Sequence, residues 1–138
     1  MADRMIVTIV DDDESVRESL PHLVATFGHE ARSFASAQEF LASDALELTG
    51  CLILDVAMPG MSGPELQREL ARRGCDIPIV FITAHRDESI RERLLAQGAV
   101  ECLFKPFSET ALVRALNEVA SMRRKAEVSN GDDARDVP

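Results

Sequence analysis

Short apolar runs rich in β-branched residues alternate along the chain with longer stretches whose apolar side chains recur every three or four positions. The runs cover residues 5–10, 30–34, 51–54, 77–82 and 100–104, and each is followed by helical spacing. That alternation predicts five βα pairs and a parallel sheet covered on both faces. The first helix is expected over residues 14–27, where Val16, Leu20, Leu23, Val24 and Phe27 share one face. Pro21 interrupts it and, lacking an N–H, is expected to kink it or weaken its first half. Ser36 with Glu39 and Ser62 with Glu65 have the spacing of reciprocal caps, marking the second and third helix starts. Gly28, Gly74 and Gly98 stand where helices should stop. Ile90 and Leu94 mark the buried stripe of the fourth helix, and Leu112, Leu116 and Val119 that of the last. The pattern ends at Lys125, so residues 1–125 are read as one domain and residues 126–138 as a flexible, acidic, solvated tail.

Composition narrows what such a domain can do. A chain of 138 residues, 46% of them hydrophobic, suits a single domain with a core of its own. Its 15 basic residues are outnumbered by 24 acidic ones and form no cluster able to neutralise a row of phosphates, which argues against direct nucleic-acid binding. Cys51, Cys75 and Cys102 are odd in number and make no C-x-x-C pair, so a reducing, cytoplasmic setting is expected. No apolar run approaches membrane-spanning length, so no membrane association is expected.

The strand ends carry the chemistry. In parallel α/β sheets ligands gather at the carboxyl ends of the strands. Here those ends supply Asp11, Asp12 and Asp13 after the first strand, Asp55 after the third, Thr83 after the fourth and Lys105-Pro106 after the fifth. Carboxylates gathered in this way must take up protons or share a cation. The hard-oxygen donors Asp11, Asp12 and Asp55 suit Mg²⁺, which is usually held by one or two carboxylates together with phosphate oxygens. Such a site handles phosphoryl groups, with Asp55 as nucleophile and Lys105 and Thr83 as donors to the phosphoryl oxygens. Each residue alone has an ordinary reading: Asp11 to Asp13 as helix caps, Asp55 as a turn residue, Thr83 as a strand end, Lys105 as a solvated cation. Their joint placement at four strand ends favours the chemical one.

The strings IVDDDESVR, LILDVAMPGMSGPEL, PIVFITAH and FKPF, in that order, resemble the four motif regions of response-regulator receiver domains, especially those of nitrogen-fixation-type transcription regulators. The resemblance spans residues 5–122 and implies a (βα)5 flavodoxin-like, doubly wound parallel sheet of order 2-1-3-4-5. It implies Asp55 as phosphoacceptor, Asp11, Asp12 and the Ala57 carbonyl around Mg²⁺, Thr83 as switch hydroxyl and Lys105 as phosphoryl-binding cation. Pro106 is implied to follow a cis peptide, and Asp13 to be a local cap. Ala57 and His85 fall where such proteins tune phosphoryl lifetime. Cys102 replaces an aromatic ring that swings inward in these switches, with Phe104 on the same face as a partial substitute. The implied phosphodonor is a histidine kinase or histidine phosphotransferase. The implied output is altered partner binding, with possible homodimerisation, through the fourth helix, fifth strand and fifth helix. Such a module is a self-phosphorylating and slowly self-dephosphorylating switch rather than a conventional enzyme.

Two other classes share parts of this pattern. A haloacid-dehalogenase-like phosphatase would use Asp11 as nucleophile, but the short chain and the Asp55-x-x-x-Pro59-Gly60 string weigh against it. A flavodoxin would need a hydroxyl- and glycine-rich phosphate loop after the first strand, which is missing.

Overall fold

A computed structural model describes the backbone of residues 4–136 and the side chains of residues 4–126. Its strands are β1 (Ile6–Val10), β2 (Glu30–Phe34), β3 (Cys51–Asp55), β4 (Ile79–Thr83) and β5 (Glu101–Phe104). Its helices are α1 (Glu14–Thr26), α2 (Ala37–Leu41), α3 (Ala45–Leu48), α4 (Gly63–Arg72), α5 (Glu88–Ala96) and α6 (Glu109–Asp136). The strands form one parallel sheet in the order β2-β1-β3-β4-β5. This is the doubly wound arrangement expected from the sequence, with β1 and β3 adjacent where the winding reverses.

Strand alternation divides the core into two layers. Val10, Leu52, Leu54, Phe81 and Cys102 face Phe40, Leu66, Leu70 and Leu94 from α2, α4 and α5. Val7, Ile9, Ile53, Val80 and Ile82 face Leu20 and Val24 of α1 and Leu112, Leu116 and Val119 of α6. Every residue of β3 and β4 is buried, as the uninterrupted apolar runs require. Each large side chain enclosed here contributes about 1.5–3 kcal/mol.

Local differences from the expected elements have local causes. β4 starts at Ile79 rather than 77 because Pro78 has no N–H to donate, although its carbonyl still accepts from the Leu52 amide at 2.9 Å. β3 runs one residue further, to Asp55, whose register partner is Ile82. The second βα connection holds two short helices instead of one. Between them the Ser43 hydroxyl donates to the Phe40 carbonyl at 2.8 Å and accepts the Ala45 amide at 3.2 Å, side-chain bonds that compete with continuing the helix. Pro21 does not end α1, which runs through it as one helix. The reciprocal cap expected at Ser62 and Glu65 forms in full, whereas at Ser36 only the Glu39 amide is bound. Gly28, Gly74 and Gly98 follow α1, α4 and α5 with φ of 92°, 74° and 108°. The helical backbone of α6 continues past Lys125 to Asp136, so the expected acidic tail begins inside the helix rather than after it.

Candidate functional site

The sheet brings the separated candidates together at its carboxyl end. Asp11 follows β1 and is fully buried, Asp55 closes β3 at 6% exposure, and Asp12 is exposed beside them. Each offers one carboxylate oxygen, and these three atoms lie within 4.8 Å of one another. Lys105, beyond β5, places Nζ 3.0 Å from Asp11 Oδ2 and 3.8 Å from Asp55 Oδ1. The Lys105 amide also donates to the Thr83 carbonyl at 2.7 Å, fixing the start of the loop against β4. The following Lys105-Pro106 peptide is cis, as the resemblance implied.

The acidic residues are held by distinct local bonds. The Asp11 carboxylate accepts the Asp13 amide at 2.9 Å, and its carbonyl accepts an Arg17 guanidinium N–H at 2.9 Å. Asp13 turns away and caps α1, accepting the Ser15 amide and hydroxyl, which hold its carboxyl below the usual carboxylate range. It is the cap that the sequence suggested. The Asp55 carboxyl is pushed up to about 7, first by burial and then by the charge of Asp11, with Lys105 opposing. A divalent cation would relieve that repulsion, and the donors are all the hard oxygens that Mg²⁺ prefers.

Thr83 is the last residue of β4 and is 2% exposed. It stands one step beyond Ile82, the register partner of Asp55. Its hydroxyl oxygen accepts the His85 amide at 3.1 Å, leaving its own proton available to a further acceptor. Ala57 lies two residues beyond Asp55 and is exposed, as is His85. Cys102 does not reach the site. It is 3% exposed in the core layer that contains Phe81 and Leu94, and burial pushes its thiol up to about 11. Burial likewise pushes Cys51 up to about 12, so neither thiol is a nucleophile at neutral pH. Phe104 is the register partner of Thr83 in the β4–β5 pair, and the Arg86 guanidinium lies 5.9 Å from its ring centroid.

Two residues that support the site were not singled out from the sequence. Arg17 braces the backbone of Asp11 from α1. Gly63 begins α4 so close to β3 that a Cβ there would lie 2.3 Å from the Asp55 carbonyl oxygen. Its amide donates to the Val56 carbonyl at 2.9 Å, so any side chain would push the helix off the strand end. A helix-start glycine is the only trace of this in the sequence, because the contact depends on how α4 docks.

A five-stranded sheet of this order, with an acidic cluster and a lysine at its carboxyl end, defines a class, and comparison with known proteins places the chain in it. Residues 7–117 match the response regulator receiver domain, and the chain belongs to that family. It is 43% identical over 122 residues to Nodulation protein W of Bradyrhizobium diazoefficiens, covering 88% of this chain and 54% of that protein. It is 37% identical over 135 residues to the transcriptional regulatory protein FixJ of Azorhizobium caulinodans, covering 98% of this chain and 63% of that one. The chain thus spans a little over half the length of these relatives. The crystal structure of FixJ-N superposes with a TM-score of 0.77 at 36% identity, covering 85% of this chain and 94% of that one. These matches give the haloacid-dehalogenase-like reading no support. Among the described residues no helix is long and apolar enough to cross a membrane.

Proposed function

We propose that Asp55 is the phosphoacceptor of this receiver domain, taking its phosphoryl group from a histidine kinase or a histidine phosphotransferase in the cytoplasm. The observation that carries this is the convergence of Asp11, Asp12 and Asp55 within 4.8 Å, with Lys105 spanning Asp11 and Asp55. Asp11, Asp12, Asp55 and the Ala57 carbonyl would hold Mg²⁺. When bound, the ion supplies charge neutralisation on the phosphoryl oxygens.

The remaining work falls to the chain's own groups. An Asp55 carboxylate oxygen attacks phosphorus as the P–N bond of the donor phosphohistidine breaks, and the imidazole leaves. The Lys105 ammonium, already 3.8 Å from Asp55, balances charge on one phosphoryl oxygen. Thr83 donates its hydroxyl proton to another while keeping the His85 amide as its donor. Burial of Asp11 and Asp55 keeps bulk water from most of the site, so the separate later step is slow and self-catalysed. In that step water attacks phosphorus, the P–O bond to Asp55 breaks and phosphate leaves with the carboxylate restored. Output passes through α5, β5 and α6 to a protein partner, including a second copy of the chain, rather than to nucleic acid from this segment. Residues 1–125 form the switching unit, with residues 126–138 as an acidic extension outside it.

Intact-protein mass spectrometry with Mg²⁺ and a small-molecule phosphodonor tests the assignment. One phosphoryl group should be gained, then lost on chelation of Mg²⁺ before reaction and in Asp55→Asn. Labelling that persists in Asp55→Asn but disappears in Asp11→Asn would instead identify Asp11 as the nucleophile.

A further inference from the structure

β1 ends at Val10, and the Asp11 amide still donates to the Phe34 carbonyl at 3.2 Å in the manner of a ladder bond. A parallel ladder would next offer the Asp11 carbonyl the amide of position 36. That continuation is missing, because β2 stops at Phe34 and Ser36 caps α2. The donor that reaches the carbonyl comes from α1 instead, Arg17 Nη1 at 2.9 Å. A helical side chain thereby stands in for a strand amide. The backbone amide of Arg17 donates to the Asp13 carbonyl at 3.1 Å, so this one residue holds both ends of the segment from Asp11 to Asp13. The Asp11 carboxylate is fixed separately, by the Asp13 amide at 2.9 Å and Lys105 Nζ at 3.0 Å. The exposed Asp12 stands between the two held ends, with a carboxylate oxygen inside the acidic cluster.

The charge and the position of Arg17 have opposite effects on a bound cation. A guanidinium beside the cluster repels a dication, so by charge alone its loss would strengthen binding. Its hydrogen bond acts the other way. It fixes the plane of the Asp11–Asp12 peptide, and the direction in which the Asp12 side chain leaves the backbone follows from that plane. Mg²⁺ tolerates little error in donor placement, because it demands near-ideal octahedral geometry. We propose, on the reading of Asp11, Asp12 and Asp55 as Mg²⁺ donors, that Arg17 is a positioning residue for the ion, holding the Asp11–Asp12 peptide so that the Asp12 carboxylate is aimed into the cluster. Position outweighs charge because water at the half-buried guanidinium screens its field, whereas the hydrogen bond acts directly on the backbone that carries two donors.

Isothermal calorimetry of the unphosphorylated full chain with Mg²⁺ tests this. Groups that orient a metal donor are worth about tenfold or more in affinity, so Arg17→Met, which keeps an aliphatic stem, should bind about tenfold more weakly than the parent. Arg17→Lys retains a donor and the charge and should stay within about threefold of the parent. Backbone amide shifts recorded without Mg²⁺ should match the parent throughout β3 and β4 in both variants, while those of Asp12 and Asp13 should move in Arg17→Met. That contrast separates a displaced donor from a loosened fold. Arg17→Met that binds Mg²⁺ as tightly as the parent, or more tightly, would overturn the proposal and leave the Mg²⁺ site in place, as would a loss that Arg17→Lys shares in full. A parent that binds no Mg²⁺ would overturn both.

Discussion

Replacing Asp55 by Asn removes a carboxylate that the fold holds at a cost, and the protein should become more stable at alkaline pH. The carboxyl sits at about 7, raised first by burial and next by Asp11. A raised carboxyl favours the protonated form in the folded state. Its contribution to stability is therefore fully present below the ordinary aspartate value and is lost as pH rises through about 7. From about 3.9 to about 7, at ~1.36 kcal/mol per pH unit, the loss is roughly 4 kcal/mol. The opposing charge of Lys105 is already contained in that value, and solvent at the strand end screens the remaining repulsion, which reduces the loss to about 1–3 kcal/mol. Urea unfolding followed by circular dichroism, with a chelator present, at about pH 4.5 and about pH 8.5 measures it. Relative to the parent, Asp55→Asn should gain about 2 kcal/mol between the two pH values. A difference between parent and variant that does not change with pH, or that moves the other way, would refute the reasoning.

Gly63→Ala should cost about 1–3 kcal/mol in the same unfolding assay, because its Cβ meets backbone 2.3 Å away rather than a side chain that can swing aside. A loss under about 0.5 kcal/mol would mean that α4 shifts without strain. Cys102→Tyr should also destabilise by about 1–3 kcal/mol, since the position lies within a packed layer at 3% exposure. It should leave phosphorylation of Asp55 intact while changing how partner binding depends on it. Equal partner affinities in variant and parent, phosphorylated and not, would remove Cys102 from the switch.

Sequence pattern was informative wherever its information is local. Apolar alternation located the strands, the spacing of Ser62 and Glu65 located a helix start, and the acidic and basic residues at strand ends marked the site, because periods and caps are written within about four residues. The same locality explains the misreadings. Ser43 breaks the second helix through bonds that a polar residue can make or leave unmade, and Pro78 trims a strand that its neighbours would otherwise extend. Only the tertiary structure could decide what depends on distant segments meeting. Lys105 pairs with Asp11 across 94 residues, and the Asp55 carboxyl rises because Asp11 and the surrounding core are brought against it. Gly63 is constrained by the docking of α4 on β3, and Arg91 reaches Glu101 because α5 folds back along β5. Charge interactions and steric contacts act over a few ångströms of space, so their strength is fixed only when the chain has closed those distances.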